Sequence, residues 1–93
     1  MEQKILHLTL KKKWFDLIKS GEKKVEYREI KPYWFKRLFE KSGEFKQFDY
    51  IIFTNGYRKD SPKMKVEIKN IFFPIEFEEK QCYAIKLGKV VKG

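Results

Sequence analysis

The stretch Gly21-Glu22-Lys23-Lys24-Val25-Glu26-Tyr27-Arg28 marks the point where the chain changes from one hydrophobic period to another. On its N-terminal side, Lys12 to Ser20 reads as a helix of two turns. Trp14, Leu17 and Ile18 fall on one stripe, with Phe15 at its edge, and Asp16 and Lys19 lie on the wet side. On its C-terminal side, Lys24 to Ile30 reads as a strand. Gly21 ends the helix, where a left-handed residue is least costly without a Cβ. In the strand, Val25 and Tyr27 are expected to point to a core, with Lys24, Glu26 and Arg28 on the opposite face and Lys23 at the mouth of the turn. A carboxylate, a guanidinium and an ammonium are thus gathered at one place, which suits a ligand that is partly anionic and partly hydrogen-bonding.

Working outward, Ile5 to Leu10 reads as a first strand, with Leu6, Leu8 and Leu10 on one face. Lys31-Pro32 breaks the second strand, and Pro32 suits the first turn of a second helix, Tyr33 to Lys41. Ser42-Gly43 ends that helix, and Phe45 and Phe48 are available as anchors in the connector that follows. Tyr50 to Thr54 is an apolar run typical of a buried strand, and Asn55-Gly56 is a turn signal opening a polar loop to Pro62. Met64 to Ile71 alternates, with Met64, Val66 and Ile68 expected inside. Phe72 to Lys80 reads as a link, and Cys82 to Val91 as the last strand, with Tyr83, Ile85 and Leu87 on one face. Ninety-three residues predict one domain, 1–93. Five strands with two short helices early in the chain predict an α+β domain whose sheet curls into a small barrel.

The formal charge of +9 attracts polyanions, nucleic acid first. Lysine-rich composition also serves solubility, and Lys11-Lys12-Lys13 reads as a solvated helix start. A single cysteine, Cys82, excludes an internal disulfide and a cysteine-based zinc site, and its apolar strand makes it a core thiol. His7 lacks partners and reads as a hydrogen-bonded core group. There is no phosphate-cradling glycine loop, no metal-ligand cluster and no serine or cysteine nucleophile motif, so neither cofactor nor metal is expected. The N-terminus has no apolar targeting region and no apolar run approaches membrane-spanning length, so a cytoplasmic protein, without membrane partners and monomeric, is expected.

The skeleton Gly21-x-Lys23-x-x-Glu26-x-Arg28, set between a helix and a strand, resembles the motif of the ASCH domain, a small β-barrel family of the PUA-like superfamily. The similarity covers most of the chain and suits a small, single-domain member of bacterial or phage type. It implies RNA binding or action on nucleosides, with the motif lining a cleft beside a five-stranded PUA-like barrel. Lys23 and Arg28 are then candidates for phosphate or base contacts, Glu26 for hydrogen bonds from a base or ribose, and Lys24 for a neighbouring charge. A second, weaker group, Asn55, Tyr57 and Arg58, sets an aromatic beside a basic residue on a loop, a common way to stack a base and meet a phosphate, although an ordinary Asn-Gly turn with a solvated tip accounts for it slightly better. Tyr33 and Trp34 are candidates to line the same cleft, although a tryptophan placed like Trp34 more often belongs to the core.

Two function classes follow. The first is a module binding RNA or a nucleotide. The second is a hydrolase using Lys23 and Glu26 as acid/base groups on RNA or a modified nucleoside. One bacterial branch of ASCH proteins looks like an amidohydrolase acting on acetylated cytidine. It uses the motif lysine, a threonine where this chain has Glu26, and a later glutamate, for which Glu67 and the cluster Glu76, Glu78 and Glu79 all stand open. The departure at Glu26 favours the binding class. An accessory protein that docks another protein through its aromatic surface is a third class.

Overall fold

The computed structural model describes residues 4–44 and 46–92. The chain runs β1 (Ile5–Leu10), α1 (Lys12–Lys19), β2 (Val25–Glu29), α2 (Pro32–Leu38), β3 (Tyr50–Asn55), β4 (Lys63–Phe77) and β5 (Lys80–Lys92). All five strands form one sheet in the order β1-β3-β4-β5-β2. β1 and β3 are parallel, and the other pairs are antiparallel. The α+β class with two early helices therefore holds, but the expected closed barrel does not. β1 and β2 remain as two separate edges of a mixed sheet.

One face of the sheet carries the core. Leu6, Leu8 and Leu10 of β1 meet Ile51 and Phe53 of β3, Met64 and Val66 of β4, and Tyr83, Ile85 and Leu87 of β5. The period-two alternation of each strand delivers these side chains to one side. Phe15 and Ile18 of α1 and Leu38 of α2 cover them, while Trp34 and Phe48 pack at the margin. Phe45, the other expected anchor, lies outside the described residues. Cys82 is a buried thiol, as its apolar strand suggests, and its Sγ lies 3.6 Å from the Lys80 carbonyl oxygen.

Three sequence expectations need correction. The buried stripe of α1 is Phe15 and Ile18. Trp14 is turned off it by one helical step, and is 41% exposed. The segment Phe72 to Lys80 is not a link, because β4 continues to Phe77 and pairs with Lys80 at the start of β5. Pro74 sits in a register irregularity between Phe72 and Ile75, where its missing N–H leaves no ladder bond unmade. Glu78 and Glu79 form the two-residue turn, both at positive φ (49° and 65°), the signature of a type I′ hairpin. His7, expected in the core, faces outward and is exposed.

The α1-to-β2 reversal fixes the start of the site. Gly21 takes a φ of +86°, and the Lys23 N–H donates to the Leu17 carbonyl at 3.0 Å. α2 begins at Pro32 after an extended Lys31 and ends where Phe39 leaves helical geometry. Arg37 thus falls in its last turn.

Candidate functional site

The geometry of β2 follows from its pairing with β5. Glu26 stands opposite Ile85 and Arg28 opposite Tyr83, and register partners project to the same face. Ile85 and Tyr83 belong to the core, so Glu26 and Arg28 point inward as well. Glu26 is the one buried residue of β2, at 6% exposure. The expectation that Val25 and Tyr27 take the core face of this strand is therefore reversed, since both are only half-buried.

A buried carboxylate needs partners. Glu26 has two. Arg28 Nη2 donates to Oε2 at 2.7 Å, and Lys23 Nζ lies 3.2 Å from Oε1. Lys23 Nζ also donates to the Val25 carbonyl at 2.7 Å. Two cations thus share one anion, leaving a net positive charge in a partly desolvated place. The short Arg28–Glu26 contact is a charge-assisted hydrogen bond, stronger than a neutral one. Arg28 Nη2 also reaches across to the Thr9 carbonyl of β1 at a long 3.5 Å. The site therefore sits in the gap between the two edge strands.

That gap is a cleft of about 570 Å³. Lys23, Glu26 and Arg28 line it together with Trp14, Tyr27 and Tyr57. Phe77 from the tip of β4 completes the aromatic wall, stacked on Tyr27 at 4.0 Å with the rings 3° from parallel. Trp14 and Tyr27 lie 5.5 Å and 5.8 Å from Lys23 Nζ, within cation–π range. Flat apolar rings around a few convergent polar groups are the usual make-up of a small-molecule site.

The expected residues divide cleanly. Lys23, Glu26, Arg28 and Tyr57 meet in this cleft. Tyr57 is 94% exposed and forms its outer lip. Lys24, Asn55 and Arg58 line neither this cleft nor its neighbour. Lys24 is exposed, with its carbonyl receiving the Leu87 N–H. Asn55 ends β3, where its N–H donates to Pro62, and Arg58 is solvated. Of the later glutamates, Glu78 lines the cleft, while Glu67 lies at a different depression with Phe48 and Tyr50.

A second cleft, about 400 Å³, lies on the other side of Arg28. Tyr33 and Trp34 line it, together with Arg37, which the sequence did not single out. Arg37 Nη2 donates to the His7 carbonyl and Nη1 to the Tyr33 hydroxyl, each at 3.2 Å. The guanidinium carbons of Arg28 and Arg37 stand 5.5 Å and 5.6 Å from the centre of the Trp34 ring. The Nε atoms of both arginines are buried without a hydrogen-bond partner among the described residues.

Trp14, Tyr27 and Phe77 were also missed. The signal for Trp14 was its place beside the motif rather than on the stripe. Phe77 had none, because its position depends on the length of the β4–β5 hairpin. Away from the clefts, burial pushes the Cys82 thiol above its ordinary range, with the Glu29 carboxylate adding to the effect. Burial likewise raises the Tyr83 phenol.

No described helix is long and apolar enough to cross a membrane. Among the described residues, no group of three or more histidine, cysteine or acidic side chains is placed to hold a metal ion. No protein-family model matches the chain, and no curated protein matches it in sequence.

Proposed function

We propose that the protein is an RNA- or nucleotide-binding domain of the ASCH, PUA-like kind, acting through the cleft between β1 and β2. The observation that carries this reading is the convergence of Lys23, Glu26 and Arg28 in an aromatic-walled cleft of about 570 Å³. A base offers a π-face to Trp14 or Tyr57, and its exocyclic groups or a ribose hydroxyl can donate to the Glu26 carboxylate. The +9 charge supplies long-range attraction for a polyanion. The arrangement is sequence-tolerant, because stacking accepts any base.

The test is binding of short single-stranded RNA as a function of salt. Affinity should fall with a log–log slope of about −0.7 per phosphate contacted. No binding at low salt would remove the nucleic-acid reading.

The hydrolase reading draws on the direct Lys23–Glu26 contact. It is the weaker of the two. Lys23 commits its ammonium to two oxygens, and the threonine of the enzymatic branch is replaced by Glu26. Lys23→Arg separates the readings, since a guanidinium keeps the charge but cannot act as a base. Turnover of acetylated cytidine by the unmodified protein, lost in Lys23→Arg, would reverse the ranking.

A further inference from the structure

The second cleft has a composition unlike the first. Arg28 and Arg37 line it with Thr9, Thr54, Tyr33 and Tyr57, and no carboxylate is among its lining residues. Arg37 donates to two neutral oxygens and makes no ion pair among the described residues, so none of these offsets its charge. Arg28 shares Glu26 with Lys23. The second cleft is thus lined by two guanidiniums, and the one carboxylate near them, Glu26, lines the first cleft and is shared with Lys23. A phosphate monoester carries about −1.5 to −2 at neutral pH.

We propose that this cleft is a phosphate subsite, in which Arg37 and Arg28 hold the phosphate of a nucleotide whose base and sugar occupy the aromatic cleft. The proposal rests on the nucleotide-binding reading above and narrows it, from any nucleoside-like ligand to a phosphorylated one. Three features support it. The two clefts share Thr9, Arg28 and Tyr57, so one ligand can span them. Both guanidiniums stand against the Trp34 ring, and Arg37 is further tied at both of its terminal nitrogens, so the donors are positioned before a ligand arrives. A planar guanidinium fork matches the spacing of phosphate oxygens better than a lysine does. Lys23, the motif cation expected at the phosphate, is instead held to Glu26 and Val25 and faces the aromatic cleft.

The rival account is that both arginines only brace the β1 edge through the His7 and Thr9 carbonyls. Calorimetric titration at low salt separates the two. The probes are the four ribonucleosides, their 5′-monophosphates, and a short oligoribonucleotide with hydroxyl ends. At least one monophosphate should bind ten-fold or more tightly than its nucleoside. Arg37→Gln should bring that ratio to within about two-fold, with the nucleoside affinity set by the cleft Arg37 does not line. Arg37→Lys, which keeps the charge but loses the fork, should fall between them, and it serves as the test if the glutamine variant does not fold. If only the oligonucleotide binds, the same Arg37 dependence assigns the phosphate to the strand, and independence from Arg37 overturns the subsite. Equal binding of nucleoside and monophosphate overturns the subsite while leaving the nucleotide reading standing. No binding of any probe overturns both.

Discussion

Replacing Glu26 by glutamine tests whether the centre of the site is closed as described. The carboxylate is 6% exposed and is the sole anion between Lys23 Nζ at 3.2 Å and Arg28 Nη2 at 2.7 Å. Glutamine keeps the shape and one acceptor but removes the charge, leaving two cations facing each other. Breaking a fully buried pair by deleting one partner costs about 3–5 kcal/mol. The two cationic side chains here retain 20% and 26% of their exposure, so solvent screens part of the repulsion. We expect a loss of about 2 kcal/mol, discounted accordingly. For a domain of this size, each kcal/mol moves Tm by roughly 4–8 °C, so melting should fall by about 8–16 °C. Urea unfolding followed by tryptophan fluorescence is the direct assay, because Trp14 and Trp34 flank the triad. A cycle with Arg28→Met should return a coupling of about 1–2 kcal/mol between the two sites. The effect should persist at high salt, unlike that of the exposed Lys12–Asp16 pair, whose loss should be near neutral. A Glu26→Gln protein as stable as the parent, or more so, would refute the closed triad and with it the geometry of the cleft.

Three further outcomes are expected. Trp14→Ala should weaken nucleotide binding with little loss of stability, whereas Phe15→Ala, in the core one residue on, should cost about 3–5 kcal/mol in urea unfolding. Replacing the turn Glu78-Glu79 by Asn-Gly should raise the unfolding free energy by about 1 kcal/mol, because both residues sit at positive φ, and an unchanged or lower Tm would contradict the hairpin geometry. Cys82 should react with a disulfide reagent far more slowly in the native than in the urea-unfolded protein. Its folded pKa lies above the ordinary 9.0, so the stability it contributes is present below that value and is lost as pH rises through it.

How far the sequence foretold these features depended on whether the signal was local. β1, α1 and the turn at Gly21 were legible because each rests on a short-range pattern: alternation, a helical stripe, and a residue tolerant of positive φ. The convergence of Lys23, Glu26 and Arg28 was legible from their spacing. Its inward direction was not, because that is set by the register with Ile85 and Tyr83 some sixty residues later. The continuation of β4 past Ile71 was hidden by Pro74 and by a turn of two glutamates, which carries none of the usual turn residues. Arg37 was invisible for a related reason. On α2 it is simply a basic residue in a last turn, and it acquires a role only where that helix lies against β1.

The contacts those two arginines make with β1 bear on how its open border is covered. Along β1, Lys4 and Leu10 turn their carbonyls towards β3 and the Gly56 loop, so the alternate carbonyls of His7 and Thr9 face the open side. An unpaired strand border of this kind is a template on which a foreign strand can add, the first step towards aggregation. Arg37 occupies one of these acceptors and Arg28 the other, and the bulk and charge of both side chains obstruct an incoming backbone. The same two residues therefore act as gatekeepers of the sheet. Substituting both arginines at once would uncover a short run of free backbone on β1, so their loss should cost solubility as well as any contact they make in the clefts.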